Sequence, residues 1–441
     1  MEPLLHPEPH PAETVLLSKR FRLPNSRSID TFLANGGFQS FRKALAMTPD
    51  QIVDELKASN LRGRGGAGFP VGMKWGFVPR TGAKPRYIVV NADESEPGTC
   101  KDRVIMQYDP HRLIEGCLIA ARVIDSRRGW IYIRGEYRYL IDLMDQALEE
   151  AYAKGWLGKN IQGTGFDFDL STHSGAGAYE CGEESALLES LEGKRGNPRI
   201  KPPFPATSGA FQCPTILNNV ESYAAVPDII EMGGAAYAAL GVAKAGGTKL
   251  TCLTGHVNRP GVYELTLGFP VRKMLEEVGG GIRNGRKMKA FIPGGSSCPV
   301  LTGEEAWEAT MDYDAMAKLK TMLGSGGVVI IDDTTDMVKL ALRIMRFYKH
   351  ESCGWCIPCR EGTLWLTKLL TRLDEGAANA HDIDMVGELA ENMLGRTFCA
   401  LGDAAALPTI SIVKKFRHEF EAKIASSSVS MTGAGLVRIH S

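Results

Sequence analysis

The sequence carries no surplus of either charge. Lysine and arginine number 51, aspartate and glutamate 51, and the formal net charge is zero. That balance gives no reason to expect a polyanion such as nucleic acid, or an anionic membrane surface, as partner. No apolar run approaches the ~20 residues that a membrane-spanning helix needs. A cationic leader is also missing. The opening MEPLLHPEPHPAE sets acids and prolines where a signal or transit peptide would have an apolar or arginine-rich stretch, which argues against both. The N-terminal arm has no cysteine, and none follows Cys399. Ten cysteines without a secretion signal imply a reducing compartment and metal or redox work, not disulfides. Hydrophobic content of 44% and charged content of 23% are ordinary for a globular protein. A chain of 441 residues has room for about two to four domains.

What is present begins with ESCGWCIPCREG, residues 351–362. Cys353, Cys356 and Cys359 stand at C-x2-C-x2-C on a loop containing Gly and Pro, where three thiols can face one centre. Cys399, in GRTFCALGD, is the cysteine available as fourth ligand. Four thiolates suit an iron–sulfur cluster and also a structural zinc. Zinc sites more often use two separate C-x2-C pairs, so the spacing favours [4Fe–4S]. Four apolar stripes at helical spacing surround these loops: Met337 to Tyr348, Leu366 to Leu373, Ile383 to Met393, and Ile412 to Phe420. In an up-down-up-down bundle the first and third loops share an end, which brings Cys399 to the other three.

Earlier in the chain, residues 1–50 read as an extended arm and a short helix. Gln51–Leu61 reads as a helix running into LRGRGGAGFP. Gly63, Gly65 and Gly68 match G-x-G-x-x-G, but after a helix and toward a strand, the wrong context for a dinucleotide fingerprint. The loop can still bring backbone N–H groups to a phosphate or a flat ring. Arg62, Arg64 and Lys74 nearby favour an anionic ligand; a plain surface turn is the alternative. Strands are expected at Tyr87–Val90, Trp130–Ile133 and Phe166–Leu170, and helices at Arg112–Ile124 and Tyr137–Ala151. This order implies a parallel sheet covered on both faces. Asn91, Asp93, Glu94 and Glu96 follow the first strand, at the end where open α/β sheets bind ligands. In HSGAGAYECGEESALLESLEG a glycine-rich loop leads into a helix near Gly182. Glu183 and Glu184 in its first turn can complement the dipole, or accept from ribose and repel a 2′-phosphate. Lys201 and Phe204 lie on a Pro-rich loop. Asn218 or Asn219 is expected to cap a helix.

A glycine-rich stretch near 235–247 marks a change of pattern. Lys249–Asp333 alternates β-like runs with one short helix at Pro270–Val278 and resembles a β-grasp. Cys252 and His256 could share a metal, but two ligands do not make a site and both read as structural. Cys117, in an apolar helical run, reads as a core thiol.

GRGGAGFP, NADESEPG, YECGEE, ILNNVE and ESCGWCIPCREG in this order resemble the NADH- and FMN-binding subunit of respiratory complex I, over nearly the whole chain. The resemblance implies an N-terminal arm and helix (1–50), an α/β flavin and NADH domain with a parallel sheet (51–240), a β-grasp SLBB-like domain (248–333), a four-helix bundle with one [4Fe–4S] cluster (335–425) and a tail (426–441). It implies FMN held by Gly63, Arg64, Gly65, Lys74, Asn91, Asp93, Tyr179, Gly182, Glu183, Asn218 and Asn219. It implies NADH held by Phe69, Phe77, Glu96, Glu184, Lys201 and Phe204, with the two phenyl rings of Phe69 and Phe77 around the adenine and Glu184 at the nicotinamide. Cys353, Cys356, Cys359 and Cys399 would hold the cluster. Implied partners are a thioredoxin-like [2Fe–2S] subunit and a larger multi-cluster iron–sulfur subunit. The implied location is peripheral, on the cytoplasmic side of a bacterial inner membrane. Two alternatives stand beside this reading: the diaphorase subunit of a soluble NAD-linked hydrogenase or formate dehydrogenase, and a zinc-stabilised scaffold without redox chemistry.

Overall fold

A computed structural model describes residues 4–424; the expected tail, 426–441, lies outside the described residues. Four short strands, β1 (Tyr87–Ala92), β2 (Arg128–Ile133), β3 (Asp169–Ser174) and β4 (Thr215–Asn219), form a parallel sheet in the order β3-β2-β1-β4. The central run YIVVNA is buried on both faces, as a parallel strand between helical layers must be. Helices Pro110–Ile124 and Val220–Met232 cover one face and are themselves almost wholly buried. The other face packs Val89, Tyr132 and Leu217 against Leu187 and Leu188 of helix Glu184–Leu191. All four strands therefore end at one rim, at Ala92, Ile133, Ser174 and Asn219.

Several local expectations shift. The third strand starts at Asp169, not Phe166, and runs on to Ser174. It is an edge strand with a half-exposed polar end, so its LSTHS segment carries no apolar signal. The glycine loop leads into a helix, Val71–Gly76, and not a strand. The N-terminal region holds two short helices, Ile29–Ala34 and Gln39–Leu45. Its arm is pinned at long range: the buried Glu264 carboxylate accepts from the amides of Leu16, Leu17 and Ser18 at 2.8–3.0 Å.

The next unit contains β5 (Thr248–Gly255), β6 (Gly261–Thr266), β7 (Phe269–Pro270), β8 (Met288–Ile292), β9 (Leu301–Thr302), β10 (Thr310–Met311) and β11 (Gly327–Asp332). Five make a mixed sheet, β6-β5-β11-β8-β9, and β7 pairs with β10 in a separate ribbon. The expected 270–278 helix is one α-turn, Val271–Lys273, continued by a π-helical turn, Met274–Val278. Helices Met337–Glu351, Ile357–Asp374, Ala380–Met393 and Leu401–Lys415 follow, and residues 417–424 are helical again. Asp336 caps the first, and Asn379 with Asp382 forms a capping box on the third. Leu401–Lys415 begins just after Cys399 and ends before Phe416, while Phe420, in the helical stretch beyond it, stays buried in the same core.

Gly116 sets the distance between the two helices behind the sheet, because a Cβ there would collide with the Tyr223 carbonyl. Gly116→Ala is expected to destabilise the protein by about 1–3 kcal/mol through overpacking, read as a lowered urea midpoint at unchanged m-value. An unchanged midpoint would show that the two helices separate freely.

Candidate active site

The strand rim gathers most of the expected ligand-binding residues. Near the end of β1, Asn91 Nδ2 donates to the Gly182 carbonyl at 2.8 Å, and its Oδ1 accepts from the Asp93 amide at 3.1 Å. Gly182 sits so close to this turn that a Cβ would rest 3.5 Å from the Asp93 carbonyl. Near the end of β4, Asn218 is buried with Oδ1 accepting from Trp75 Nε1 at 3.0 Å. Asn219 is the helix N-cap, accepting from the Glu221 amide. Its amide nitrogen donates to Asp102 at 2.7 Å. The glycine loop crosses directly over it, for a Cβ on Gly65 would lie 3.1 Å from Asn219 Cβ. Gly63 anchors the loop through its amide to the Phe69 carbonyl and its carbonyl to Tyr313 Oη. Arg64 is fully buried; its guanidinium donates to the carbonyls of Gly246 and Thr248, both at 2.9 Å, tying the loop to β5.

At the mouth, four charges interlock. Lys74 Nζ lies 3.1 Å from Glu184, and Lys201 Nζ lies 2.7 Å from Glu183 and 3.2 Å from Glu184. Burial alone would raise the Glu184 carboxyl, but Lys74 and Lys201 outweigh it and hold the group below the usual carboxylate range. Glu183 also caps helix Glu184–Leu191, accepting from the Ser185 and Ala186 amides, so its capping role is realised together with its ion pair. Around these charges Phe69, Phe77 and Phe204 stand 47%, 56% and 57% exposed. Rings that open to water are a ready apolar surface for a flat ligand. Phe69 and Phe77 lie 6.3 Å apart, tilted by 49°; a planar ring entering between them must first bring them parallel.

Glu96 sits deeper and joins three units. It accepts from Tyr179 Oη at 2.7 Å and from the Ser297 amide at 2.8 Å, while neighbouring Ser296 Oγ lies 3.0 Å from Tyr348 Oη in the bundle. Burial raises its carboxyl above the ordinary value. Glu94, expected to face a ligand from the same turn, does not. It is buried, and accepts from the Asp102 and Arg103 amides at the start of helix Lys101–Tyr108. A turn reverses side-chain direction at each step, and the sequence does not say which acid turns inward. Lys101 gives no sequence signal for a related reason. It lies shortly after NADESEPG, yet it is fully buried and contacts Asp102, Glu221 and Asn219 at 2.7–3.0 Å beneath the rim.

The four cysteines line one small pocket, with Glu180, Ser352, Trp355 and Phe398 among its walls. Cys356 precedes helix Ile357–Asp374, Cys359 is in its first turn, and Cys399 shortly precedes the fourth helix. Among the described residues no three His, Cys, Asp or Glu side chains gather tightly enough for a single metal ion. Four sulfurs on one zinc at ~2.3 Å would crowd to about 3.8 Å of each other. Burial pushes the Cys359 thiol up to about 11 and raises Cys353 and Cys399 as well. The cavity borders the rim: Glu180 in its wall is the residue after Tyr179, whose amide donates to Glu351 at 3.1 Å and whose ring packs on Phe347 and Tyr348. Cys252 and His256 bind no common centre; Cys252 Sγ accepts from the Cys100 amide, and His256 Nδ1 accepts from the Asp332 amide.

With this geometry in view, comparison with known proteins is decisive. A protein from Rhizobium meliloti (strain 1021), named as the second F subunit of NADH-quinone oxidoreductase, is 52% identical over 413 residues, spanning 93% of this chain and 98% of that protein. The chain belongs to the F-subunit family of NADH-quinone oxidoreductases. A member from Rhodobacter capsulatus is 47% identical over 93% of this chain and 96% of its own length. Family models match in three places: the Nuo51 FMN-binding domain at 56–228, the SLBB domain at 250–301, and the NADH-ubiquinone oxidoreductase-F iron-sulfur binding region at 339–423. A solved NAD+-reducing [NiFe]-hydrogenase in the H2-reduced state is similar in fold, with TM-score 0.82 and 32% identity over 98% of this chain and 72% of that one.

Burial pushes the Asp93 carboxyl up to about 7 against its hydrogen bond from Ser95. A carboxyl raised in the folded state favours folding most below its unfolded value, near 3.8, and that contribution fades as pH climbs through about 7. Asp93→Asn is therefore expected to flatten the fall of apoprotein stability between about pH 4 and 7, measured as urea midpoint against pH. An unaltered slope would mean that Asp93 folds ionised.

Proposed function

We propose that this chain is the electron-input subunit of an NADH:quinone oxidoreductase, with FMN at the strand rim and a [4Fe–4S] cluster among Cys353, Cys356, Cys359 and Cys399. The observation that carries this is a shared wall: the pocket lined by four thiols and the strand rim meet at the turn Tyr179–Gly182, whose Glu180 lines the pocket and whose Gly182 carbonyl accepts from Asn91. The residues fit both groups. Four thiols lining one pocket, with no three His, Cys, Asp or Glu side chains gathered for a single ion among the described residues, suit a cluster that meets each sulfur at a different iron better than they suit one zinc. Open phenyl rings, two lysines and a glycine cradle suit a nucleotide with a flat ring. Bound FMN supplies hydride acceptance from NADH, and a bound cluster supplies single-electron acceptance.

The protein's part is to seat and orient. Gly63, Gly65 and Gly182 keep the cradle free of side chains, and Arg64 fixes the loop from behind. Lys74 is placed to offset the FMN phosphate, exchanging its bond to Glu184 for one to the ligand. Asn91, Asp93, Tyr179, Glu183, Asn218 and Asn219 supply polar contacts along the flavin edge. Phe69, Phe77 and Phe204 offer stacking faces for adenine, with Lys201 beside them and Glu96 near the reacting end. Glu184 orients the nicotinamide. The same reading divides the chain into a flavin and NADH unit (51–240), a β-grasp unit (248–333) and a cluster bundle (335–425).

A cluster at one end of a bundle must hand electrons on. Trp355, Ile357 and Phe398 are 46%, 66% and 49% exposed at the cysteine loops, an apolar patch of the kind that partners cover. We assign the thioredoxin-like [2Fe–2S] subunit and the larger multi-cluster subunit as those partners. Among the described residues no helix is long and apolar enough to cross a membrane; the position we assign is peripheral, through the complex, on the cytoplasmic side. The hydrogenase diaphorase reading draws on structural neighbours at 32–33% identity. The complex I reading draws on relatives at 47–52%, and is preferred.

The purified protein should be yellow-brown, carry about four irons and four sulfides per chain, and give an EPR signal after reduction by NADH. A colourless, zinc-containing, diamagnetic preparation would refute the proposal in favour of a scaffold. Glu184→Ala should cut kcat/KM for NADH-dependent ferricyanide reduction at least about tenfold, ~1.4 kcal/mol, with FMN retained. A wild-type rate removes Glu184 from the nicotinamide site.

A further inference from the structure

The glycine loop at the rim is clamped by a residue from a different unit. Tyr313 opens helix Tyr313–Lys318 of the β-grasp unit, and Asp312 caps that helix by accepting from the Ala315 amide at 2.8 Å, so the ring stands on a fixed base. The ring is buried and meets the loop in three places. Its hydroxyl donates to the Gly63 carbonyl, at the loop's start, at 3.1 Å. Its edge lies against Gly68 at the loop's end, where φ is +65° and a Cβ would come within 2.5 Å of the ring. Its face carries the Arg62 guanidinium, 4.0 Å from the ring centroid, and Arg62 Nε in turn donates to the Gly68 carbonyl at 2.7 Å. The Gly63 amide closes the loop on the Phe69 carbonyl at 2.8 Å. Phe69 is therefore an open ring on a stem held from the β-grasp side. The flavin side of the loop has anchors of its own. The Arg64 amide donates to Ser222 Oγ at 2.8 Å, and its guanidinium to the Gly246 and Thr248 carbonyls. Removing Tyr313 would free the Phe69 end and leave the Arg64–Gly65 end tied.

We propose that Tyr313 is a positioning residue for the dinucleotide: it holds the glycine loop so that Phe69 stands ready for the adenine, and through it the β-grasp unit sets the affinity for NADH. The inference rests on the NADH site proposed above. A glycine-rich loop left free must be ordered when ligand binds, and the entropy lost is subtracted from affinity. The clamp removes that cost from the binding step.

The test is NADH-dependent ferricyanide reduction by the full-length chain carrying FMN and cluster, set against reduced nicotinamide mononucleotide, a hydride donor without the adenine half. Tyr313→Ala should raise KM for NADH about three- to tenfold, the range an aromatic contact is worth, with kcat within a factor of about two. Its kcat/KM for the mononucleotide should match the wild type, and flavin per chain should not change. ADP-ribose, which carries the adenine end alone, should weaken as a competitive inhibitor by the same factor as KM rises. Tyr313→Phe, which keeps the ring beneath Arg62 and against Gly68, should recover most of the loss. In a Phe69→Ala background Tyr313→Ala should add little, because the residue it positions is gone. If Tyr313→Ala does not fold, Tyr313→Leu, bulky but with neither hydroxyl nor flat face, is read on the same scale. A flavin-loaded variant with the wild-type KM for NADH overturns the proposal. Equal losses with NADH and the mononucleotide, or loss of flavin, overturn it too, since they mark a general loosening of the pocket. An unsubstituted chain that neither binds FMN nor oxidises NADH sinks the nucleotide assignment itself, and this inference with it.

Discussion

The carboxylate of Glu96 holds the molecule's three units in one arrangement. It leaves the loop after β1, takes the Tyr179 hydroxyl from the turn before helix Glu184–Leu191, and takes the Ser297 amide from the β-grasp unit. Ser296 extends the chain to Tyr348 in the bundle. A buried polar network of this kind is costly when any member is missing and rigid when all are present. Its rigidity matters because electron transfer depends on the distance between donor and acceptor sites. The strand rim belongs to the α/β unit and the cysteines to the bundle, so only a fixed junction keeps the two sites adjacent. The bond from the Tyr179 amide to Glu351, two residues before Cys353, adds a second strut.

Charge is distributed in two tiers around that junction. Beneath the rim, Lys101, Asp102, Glu221 and Lys249 are almost wholly buried and bonded to one another. Their attractions are strong in a low-dielectric interior, and leaving one unpaired would be expensive. This tier holds the ends of β1 and β4 in place. Above it, Lys74, Glu184, Lys201 and Glu183 are also paired, but each keeps some 15–27% of its side chain open to solvent. Water and incoming ligand groups can replace those bonds at little cost. A fixed lower tier and an exchangeable upper one would let a nucleotide bound as proposed reorganise the mouth without disturbing the strands.

What the sequence revealed follows the same division. The cysteine site was legible because a C-x2-C-x2-C loop and four helical stripes are both local signals, and bundle topology alone brings Cys399 across. Strands β1 and β2 were legible because buried strands of this kind are apolar runs; β4, Thr215–Asn219, was not read as a strand, since its short run ends in two asparagines. A cap at Asn218 or Asn219 was legible from the helix that follows, and the structure puts it at Asn219. Directions around tight turns were not: Glu94 and Glu96 are two residues apart in one acidic loop, yet one caps a helix and the other joins three units. The edge strand β3 was misplaced because half-exposed strands contain polar residues that look like loop. Glu180 stands inside YECGEE with no signal of its own, since nothing local distinguishes an acid facing solvent from one facing four thiols.

The division also bears on how one architecture serves different assemblies. The similarity to an NAD+-reducing [NiFe]-hydrogenase, TM-score 0.82 at 32% identity, means that most side chains differ while the backbone frame is kept. A frame can tolerate that much exchange when the contacts that define it are few and internal, as the Glu96 junction and the Lys101 tier are. Beside the cysteine loops an apolar surface stays exposed, where Trp355 and Phe398 lie against each other at 5.2 Å. Those two rings flank Cys356 and Cys399 in sequence. A partner covering them would exclude water from the cavity and lower the local dielectric around the thiolates. Docking and electron affinity would thus be coupled through the same few residues, with no movement required of the α/β unit.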